Sequence, residues 1–379
     1  MPTRRKVLKL IGGGTVLAAT AATVGCDGSA GVAASAREPW RRAGGYDDFR
    51  KRALSYALLA PNPHNRQPWL VQLDGADALT LHVDLARRLP ATDPLDRQIT
   101  IGCGAFLELL SIAALQDGYT TDIAAFPEGE DMRTLDRRPV ATVRFVGGAS
   151  SPDPLFQQIL ARRSNKAVYE ARDVAADSLA ALAAAGRSYG VDSATEGNTA
   201  LTATLRDLTW RAHMQEVTTP AANQESVDLM RIGAREVAAN PDGIVLEGPM
   251  IEFARRFGFL SREALADPTS SAFKQGLELY RKMAMSARAF GWLVNGNRSR
   301  ADQLAAGRAY VRMNLKATEL GLGVHPWSQA LQEYPQMAAL YREVHELVGQ
   351  GGTLQMLYRI GHAKEIGPTP RRGLEAHLA

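Results

Sequence analysis

Cysteine is almost absent from this chain: among 379 residues only Cys26 and Cys103 occur. Cys26 belongs to an N-terminal segment with the features of an export leader, so a chain without that segment keeps one thiol and no internal disulfide. Two cysteines are also too few for a cysteine-based zinc centre, and the seven histidines are scattered without metal-ligand spacing. A disulfide-stapled scaffold and a cysteine zinc site are therefore excluded, and no metal is predicted.

A strong excess of basic residues is lacking as well. The formal net charge is +4, and residues 1–36 hold four cations against one anion, which leaves about +1 for the rest of the chain. Proteins that bind nucleic acid draw affinity from neutralised phosphates and carry a basic patch or stripe. The sequence therefore predicts no nucleic-acid partner.

Several catalytic fingerprints are missing too. The chain has neither the GxxxxGK(S/T) loop of nucleoside triphosphatases nor the GxSxG turn of hydrolases. The stretch HELVG at 345–349 lacks the second histidine of a zinc-protease helix, and GLGVHP at 321–326 has Pro326 where a dinucleotide fingerprint needs a third glycine. The composition, 45% apolar and 22% charged, is that of a soluble globular protein.

What is present begins with the N-terminal segment. Arg4-Arg5, followed by Val7, Leu8 and Lys9, resembles the twin-arginine export signal. The apolar stretch at 10–24 is short and weakly apolar for a spanning helix, although a retained N-terminal anchor is the alternative. We expect the twin-arginine export machinery as a partner, a periplasmic or other extracytoplasmic location, and no stable membrane span in the mature form.

Two endings of this leader are open. ASA at 34–36 resembles a signal-peptidase site with cleavage after Ala36, which is the favoured ending. TVGC at 23–26 resembles a lipoprotein box, weakened by Thr23, and would give a lipid anchor at Cys26. Because the twin-arginine route carries folded proteins, the leader also hints at a cofactor that is inserted before export.

Beyond residues 1–36, taken as signal and linker, GGASSPDP at 147–154 is the clearest boundary, and it separates 37–150 from 151–379. The first part predicts a β-hairpin around Asp74-Gly75, an apolar helix ending at Gly118, and a strand in RPVATVRFV. DPLFQQILA, just past the boundary, predicts a short amphipathic helix.

The second part repeats this order. Gly307 and Gly321 have the spacing of Gly104 and Gly118, with coinciding apolar positions between them, and LQMLYRIGH supplies a following strand. The region of about 205–300 predicts mostly helix. The repeat predicts two related halves, the second with a helical insert.

One basic run stands out. ARRSNKAVYE at 161–170 places Arg162, Arg163 and Lys166 with Ser164 within five residues. Such a run is usually a solvated helix end. Closely spaced cations also suit a bound phosphate, through charge-assisted and bidentate hydrogen bonds. A second pair, Arg371-Arg372, lies in TPRRG near the end of the chain and counts for little alone.

Two stretches together resemble the nitroreductase family. RRSNKAVYE is similar to its flavin-binding start, Arg-x-Ser-x-Arg/Lys-x-Phe, with Val168 in place of Phe. APNPHNRQPW at 60–69 is similar to its second signature, Ala-Pro-Ser-x-x-Asn-x-Gln-Pro-Trp, with Asn62 in place of Ser. GLGVHPWSQA and IGH…PTPRRG fit the family's later segments, so the resemblance covers roughly residues 45–375.

The resemblance implies an α+β fold, nitroreductase-like, with two tandem halves forming a fused pseudo-dimer around a mixed sheet with surrounding helices. It implies FMN as cofactor. Phosphate and ribityl contacts are expected from the basic run and the tail, ring contacts from backbone N–H groups near Ser328 and Gln329, and a polar wall from the turn at 60–69. The expected cofactor-binding residues are Arg162, Arg163, Ser164, Lys166, Arg371, Arg372, Ser328, Gln329, Asn62, His64 and Asn65.

The two signatures come in reverse of the family's usual order, about a hundred residues apart. The first half lacks an Arg-Ser motif, and the second half shows only RSYGVDSA where an Asn-Gln-Pro-Trp turn belongs. This order fits a fused pseudo-dimer in which the first half walls a flavin that the second half holds. It predicts one competent site per chain and resembles the tandem subfamily known for flavin-binding proteins of the actinobacterial dormancy type.

The implied function is an FMN-dependent oxidoreductase that passes electrons from NAD(P)H through flavin to a nitroaromatic, quinone or similar acceptor. Its partners are a small-molecule electron donor and acceptor, and no side-chain general base is expected. The alternative is an exported FMN-binding or flavin-sequestering protein without turnover, with the insert as a lid. A flavin-fragmenting enzyme and a tethered protein with a dead site are further alternatives, and the intact basic run argues against the last.

Overall fold

The computed structural model of the chain describes residues 34–148 and 151–379. The predicted twin-arginine pair, the lipoprotein box and part of the predicted boundary at 147–154 lie outside the described residues, whereas Ala36 lies inside them. The helices are α1 (Glu38–Arg42), α2 (Phe49–Ala57), α3 (Arg97–Ala114), α4 (Ala176–Gly186), α5 (Ala200–Thr218), α6 (Pro220–Asp228), α7 (Ala234–Ala239), α8 (Pro249–Arg256), α9 (Arg262–Ala266), α10 (Ser271–Met285), α11 (Arg300–Glu319) and α12 (Ala338–Val348). The strands are β1 (Trp69–Asp74), β2 (Ala78–Val83), β3 (Tyr119–Ala125), β4 (Ala141–Gly147), β5 (Asp192–Glu196), β6 (Met230–Ile232), β7 (Ile244–Leu246), β8 (Ala289–Asn295), β9 (Gly323–Pro326) and β10 (Thr353–Gly361).

Two four-stranded antiparallel sheets carry the fold, which is α+β as predicted. Their orders are β1-β2-β4-β3 and β5-β8-β10-β9. Each sheet is therefore built from a strand pair, a long helix and a second strand pair, with the last strand inserted between its neighbours. Every pairing between these named strands is antiparallel. At the free edge of β1, Val71 also pairs in parallel with Leu378: the Val71 amide donates to the His377 carbonyl at 2.7 Å, and the Ala379 amide donates to the Val71 carbonyl at 2.9 Å. The first sheet is therefore mixed at this edge.

Both sheets owe their position to the alternation that the sequence displays. In β2 the burial alternates between half-buried and buried residues, whereas all of β8 and β10 is buried. The predicted hairpin is confirmed, with Trp69 paired to Val83 and Asp74 to Ala78. Between β5 and β8 the chain forms six helices, α5 to α10, and a two-stranded parallel sheet of β6 and β7.

The long helices α3 and α11 pack against each other at two glycines. A Cβ on Gly104 would approach the Leu304 carbonyl oxygen, and a Cβ on Gly307 the Ile101 carbonyl oxygen, at less than 3.0 Å. The backbones therefore touch where the side chains are missing. Each helix is followed by a left-handed glycine, Gly118 at φ 79° and Gly321 at φ 66°, so the repeat seen in the sequence is also a repeat of geometry.

The short amphipathic helix expected in DPLFQQILA is wrong. Only a 3-10 turn, Pro154–Gln158, forms there, with the Asp153 side chain accepting from the Leu155 amide. Its chain then turns inward so that Arg162 is buried, which ends helix growth after one turn.

Among the described residues, the stretch Arg97–Asp117 has the length and apolar character of a membrane-crossing helix, with a mean hydropathy of 1.7. It is also 83% buried within the protein, as a core helix is.

The glycine contact generates a first prediction. Gly307→Ala should lower the free energy of unfolding by about 3 kcal/mol, because α3 and α11 must separate to admit a methyl group. Gly296→Ala is the matched control, since a Cβ there would meet nothing within 4 Å. Urea unfolding of both variants measures the difference. Equal stability of the two would contradict the contact.

Candidate functional site

The turn at 60–69 is tightly constrained. His64, Asn65 and Gln67 lie in the left-handed region at φ 46°, 52° and 49°, a conformation that costs non-glycine residues on the order of 1 kcal/mol each. The Asn62 side chain closes the turn: its Oδ1 accepts from the Gln67 amide at 2.8 Å and its Nδ2 donates to the Ala60 carbonyl at 3.1 Å. Asn62 therefore serves the turn itself.

Residues far along the chain hold this turn in place. The Gln67 Nε2 donates to the Pro241 carbonyl at 2.9 Å, and its Oε1 accepts from the Arg372 amide at 2.8 Å. The Asn65 Nδ2 donates to the Pro370 carbonyl at 3.1 Å, and its Oδ1 accepts from Arg371 at 2.7 Å. The strained conformation thus persists because the C-terminal tail and the region between β5 and β8 both grip it.

Arg162 and Arg371 meet at the end of α2. The Arg162 Nη2 donates to the Leu59 carbonyl at 2.9 Å, and the Arg371 Nη2 donates to the same oxygen at 3.2 Å. Arg371 also donates to the Leu58 and Ala60 carbonyls, at 3.0 and 3.1 Å. Both side chains are buried, 2% and 4% exposed. Two residues about two hundred positions apart therefore converge on the chain just after α2.

The electrostatics of this pair are unusual. Burial lowers the pKa of Arg162 to about 10 and that of Arg371 to about 9, and repulsion by Arg162 and Arg163 adds to the shift at Arg371. Within the described residues, neither guanidinium forms an ion pair with a carboxylate. The Arg162 Nε is also buried without a hydrogen-bond partner. A buried positive pair with an open donor suits a bound anion such as a phosphate.

The rest of the basic run lies around this pair. Arg163 is half-buried, donates to the Ile366 carbonyl at 3.3 Å and places its guanidinium 4.6 Å from the centre of the Trp40 ring. Ser164 is half-buried beside it. Trp40 also lies 5.6 Å from the Arg371 guanidinium, so the indole packs on two members of the cluster. Our sequence analysis missed Trp40, because nothing in the sequence marks it except its position just after the leader.

The charge of Lys166 affects the pKa of His64, although the two residues are about a hundred positions apart in the chain. Lys166 is exposed, yet the surrounding protein lowers its pKa by desolvation, against attraction from Glu216. Desolvation, followed by repulsion from Lys166, lowers the pKa of His64 to about 4, and the His64 Nδ1 has no partner. Lys166 is therefore accessible to solvent although much of its surroundings is protein.

Ser328 and Gln329 differ in what they leave free. The Ser328 hydroxyl donates to the Leu357 carbonyl at 2.9 Å and accepts from the Leu357 amide at 3.2 Å, so it ties its loop to β10. The Gln329 Oε1 is buried without a partner. The Gln329 side chain therefore has an oxygen that could bind a ligand. The Ser328 hydroxyl is already used in hydrogen bonds to β10.

Arg372 is not brought to the cluster. Its pKa is lowered first by burial and then by Arg87, and its other charged neighbours are Asp84, Asp242 and Arg66. It therefore lies in a separate network around Asp242, which Arg87 and Arg231 contact at 2.7 and 2.6 Å. Neighbouring residues in an extended tail point in opposite directions, which separates Arg372 from Arg371.

A further group that the sequence analysis missed comes from α5 and α10. Glu216 is buried, 7% exposed, and its Oε2 accepts from the Gln332 Nε2 at 2.9 Å. Burial raises the pKa of Glu216 to about 7, while Gln332 and Lys166 lower it and Glu225 raises it. One turn earlier, His213 stacks on Tyr280 with 4.3 Å between ring centres. Glu216 raises the pKa of Lys166 and Lys166 lowers that of Glu216, so the charge of α5 acts on the basic run.

No protein-family model matches the chain. A Mycobacterium tuberculosis protein named "Putative NAD(P)H nitroreductase Rv3131" is 26% identical over 342 residues, covering 86% of this chain and 89% of that protein. A Serratia protein named "Probable NAD(P)H nitroreductase PigM" is 25% identical over 350 residues, covering 88% and 94%. These names support the nitroreductase resemblance.

Solved structures give a weaker likeness. The FMN-dependent nitroreductase NfnB from Mycobacterium smegmatis, in complex with NADPH, is 19% identical and aligns with 58% of this chain and 94% of its own, at a TM-score of 0.36. At this score the likeness adds no independent support.

Glu216 generates a pH prediction. Because its pKa is raised from 4.5 to about 7, the unfolded chain releases this proton first, and wild-type stability falls as the pH rises between those values. Glu216→Gln keeps an acceptor for Gln332 and removes the titration. Between pH 5 and 7.5, the free energy of unfolding of the variant should rise relative to that of the wild type by up to about 3 kcal/mol.

Urea unfolding at several pH values measures this gain. Glu346→Gln, at an exposed glutamate on α12, is the control and should follow the wild type throughout. A difference between Glu216→Gln and the wild type that does not change with pH would contradict the raised pKa.

Proposed function

We propose that the chain is an FMN-dependent oxidoreductase of the nitroreductase type, which passes electrons from NAD(P)H through flavin to a nitroaromatic, a quinone or a similar acceptor. The observation that carries the proposal is the buried pair Arg162 and Arg371, which lies among backbone carbonyls without a compensating carboxylate. The names of the relatives from Mycobacterium tuberculosis and Serratia support the donor class.

The residues present fit FMN. Arg162 and Arg371 would hold the phosphate, the first through its Nε, which is unpartnered among the described residues, and Arg163 and Ser164 follow Arg162 directly in the chain. Lys166, whose side chain is exposed, would be available to the ribityl chain or the ring. The flavin supplies the hydride chemistry, and the protein supplies binding, orientation and charge.

The wall that faces the ring comes from the first half. His64 has a ring nitrogen without a partner and is kept neutral by burial and by Lys166, so it offers a polar but uncharged edge. Asn65 is committed to Pro370 and Arg371. It therefore positions the phosphate arginine and leaves the contact with the flavin ring to its neighbour His64.

We further propose a fused pseudo-dimer with one flavin per chain. The two sheets have the same strand order, and the turn after α4 stands in chain order where the turn at 60–69 stands after α2. There Glu108, 1% exposed in its side chain, accepts from Arg308 at 2.8 Å and from Arg312 at 2.7 Å. Tyr189 also donates to it. The Glu108 carboxylate thus neutralises Arg308 and Arg312 of α11 beside the second half's turn, and these two arginines offer no uncompensated charge to a phosphate.

Export by the twin-arginine machinery remains part of the proposal. Ala36 is 4% exposed, and its carbonyl accepts from the Arg371 amide at 2.8 Å. A signal peptidase needs an exposed, extended substrate, so this burial disfavours cleavage after Ala36. It favours the other ending, with a lipid anchor at Cys26 and a protein held at the membrane on the extracytoplasmic side.

A second candidate function is an FMN-binding or flavin-sequestering protein without turnover. The observation that favours it is the reach of the region between β5 and β8: Glu216 of α5 acts on Lys166, and Pro241 accepts from Gln67 of the turn. A segment that contacts the turn at 60–69 and acts on the basic run would be placed to cover a bound ring.

The phosphate assignment is tested by Arg162→Met, compared with Arg372→Met. Loss of a charge-assisted contact should weaken FMN binding about 100-fold. The unfolding free energy of the flavin-free protein should change by less than about 1 kcal/mol, since lost carbonyl bonds are offset by relief of repulsion with Arg371. Arg372→Met should bind FMN normally. Fluorescence titration and urea unfolding measure both, and equal FMN affinity of the two variants would refute the site.

The activity is tested on protein reconstituted with FMN, with a titration endpoint of one flavin per chain. Without oxygen, NADPH or NADH should bleach the visible absorbance of the bound flavin faster than that of free FMN, and a quinone or nitroaromatic should restore it. If the bound flavin stays oxidised, the result would reject the oxidoreductase and support the flavin-sequestering protein without turnover. Failure to bind FMN would reject both functions.

A further inference from the structure

Three phenylalanines lie exposed together on one short stretch of chain. Phe253 of α8 and Phe257 and Phe259 just after it are 38%, 58% and 42% exposed. The rings of Phe253 and Phe257 touch, with 4.6 Å between their centres. The apolar residues on the opposite side of the same stretch are buried: Ile251, Ala254 and Leu260 pack with Leu265 in a separate hydrophobic cluster. Three large aromatic rings in water form an apolar patch of the kind that marks an interaction surface.

Cations border these rings. Arg255 and Arg256 are exposed, and only Arg255 has an ion pair among the described residues, with Glu252 at 3.0 Å. Arg235 of α7 is exposed next to Ala234, whose amide donates to Glu252 at 2.6 Å, so a third cation lies near the first turn of α8. Aromatic side chains flanked by arginine are the composition of helices that lie in the plane of a membrane interface.

The start of the described chain lies beside this patch. Arg37 forms an ion pair with Glu247, two residues before α8 begins at Pro249, and its Nε donates to the Pro368 carbonyl at 2.7 Å. Cys26 precedes Ala34 by eight residues, which span up to about 28 Å when extended. A lipid at Cys26 would therefore be tied to the chain just before the segment that Arg37 fixes to Glu247, two residues ahead of α8.

We propose that Phe253, Phe257 and Phe259, with Arg255 and Arg256, form a docking surface for an anionic lipid membrane. The rings enter the boundary between headgroups and acyl chains, while the arginines bind anionic headgroups. Together with the N-terminal tether, this surface fixes which side of the protein faces the bilayer. The surface does not depend on bound flavin.

The experiment uses the full chain with Cys26→Ser, so that a single introduced thiol can be labelled with a polarity-sensitive dye; Cys103 is fully buried. Phe257→Cys carries the label in the patch. Leu347→Cys carries it in the control, at a leucine 37% exposed on α12. On vesicles containing phosphatidylglycerol, the label at 257 should shift to the blue and the label at 347 should not. The leader alone can bring the protein to vesicles, but it cannot bury residue 257.

A shift at both positions or at neither overturns the proposal. A shift at 257 without vesicles, growing with protein concentration, would assign the patch to a second copy and also overturn it. A second measurement is the partitioning of variants onto vesicles. Arg255→Gln with Arg256→Gln should weaken binding to anionic vesicles about fivefold per arginine and should leave binding to neutral phosphatidylcholine vesicles unchanged. Serine at all three phenylalanines should weaken it at least about tenfold, whereas serine at Val146, Leu320 and Leu347 should not.

Discussion

Two buried arginines at the end of one helix organise this protein. Arg162 and Arg371 both donate to the Leu59 carbonyl, from positions more than two hundred residues apart in the chain. Cations taken out of water need partners, and here the available partners are backbone carbonyls at the end of α2. The turn at 60–69 follows directly, and Asn65 binds the same Arg371. The basic run, the tail and the strained turn are therefore joined by hydrogen bonds into one unit. The Arg162 Nε is the donor within it that stays unpartnered among the described residues, and we propose that it binds an anion.

The second constraint is the contact of α3 and α11. Gly104 and Gly307 let the two backbones touch, which brings a matching sheet to each side of the helix pair. The likeness of the halves stops at the charged side chains. Arg308 and Arg312 are neutralised by the carboxylate of Glu108. Arg162 and Arg371, which meet at the Leu59 carbonyl, have no such carboxylate among the described residues. One buried glutamate separates a packed interface from a place that attracts an anion.

Much of this was predictable from local pattern. The hairpin at 69–83, the long helices and the closing strand follow from periodicity and from Gly118 and Gly321, because these signals act over a few residues. The helix expected in DPLFQQILA failed because burial of Arg162 overrode local propensity. The parallel pairing of Leu378 with Val71 could not be read from periodicity, because it joins residues about three hundred positions apart. Trp40 and Glu216 went unnoticed because their only signal is spatial.

The sequence by itself determined the α+β class, the repeated helix with its two glycines, and the residue types from which an anion site can be built. Those properties depend on neighbours along the chain, or on a motif whose members are close in number. Only the tertiary structure decided which cations matter. Arg371 and Arg372 are adjacent in sequence, yet one lies against Leu58, Leu59 and Ala60 and the other beside Arg87 and Asp242. The free energy of a buried charge depends on what surrounds it in space, and that arrangement exists only once the chain has folded.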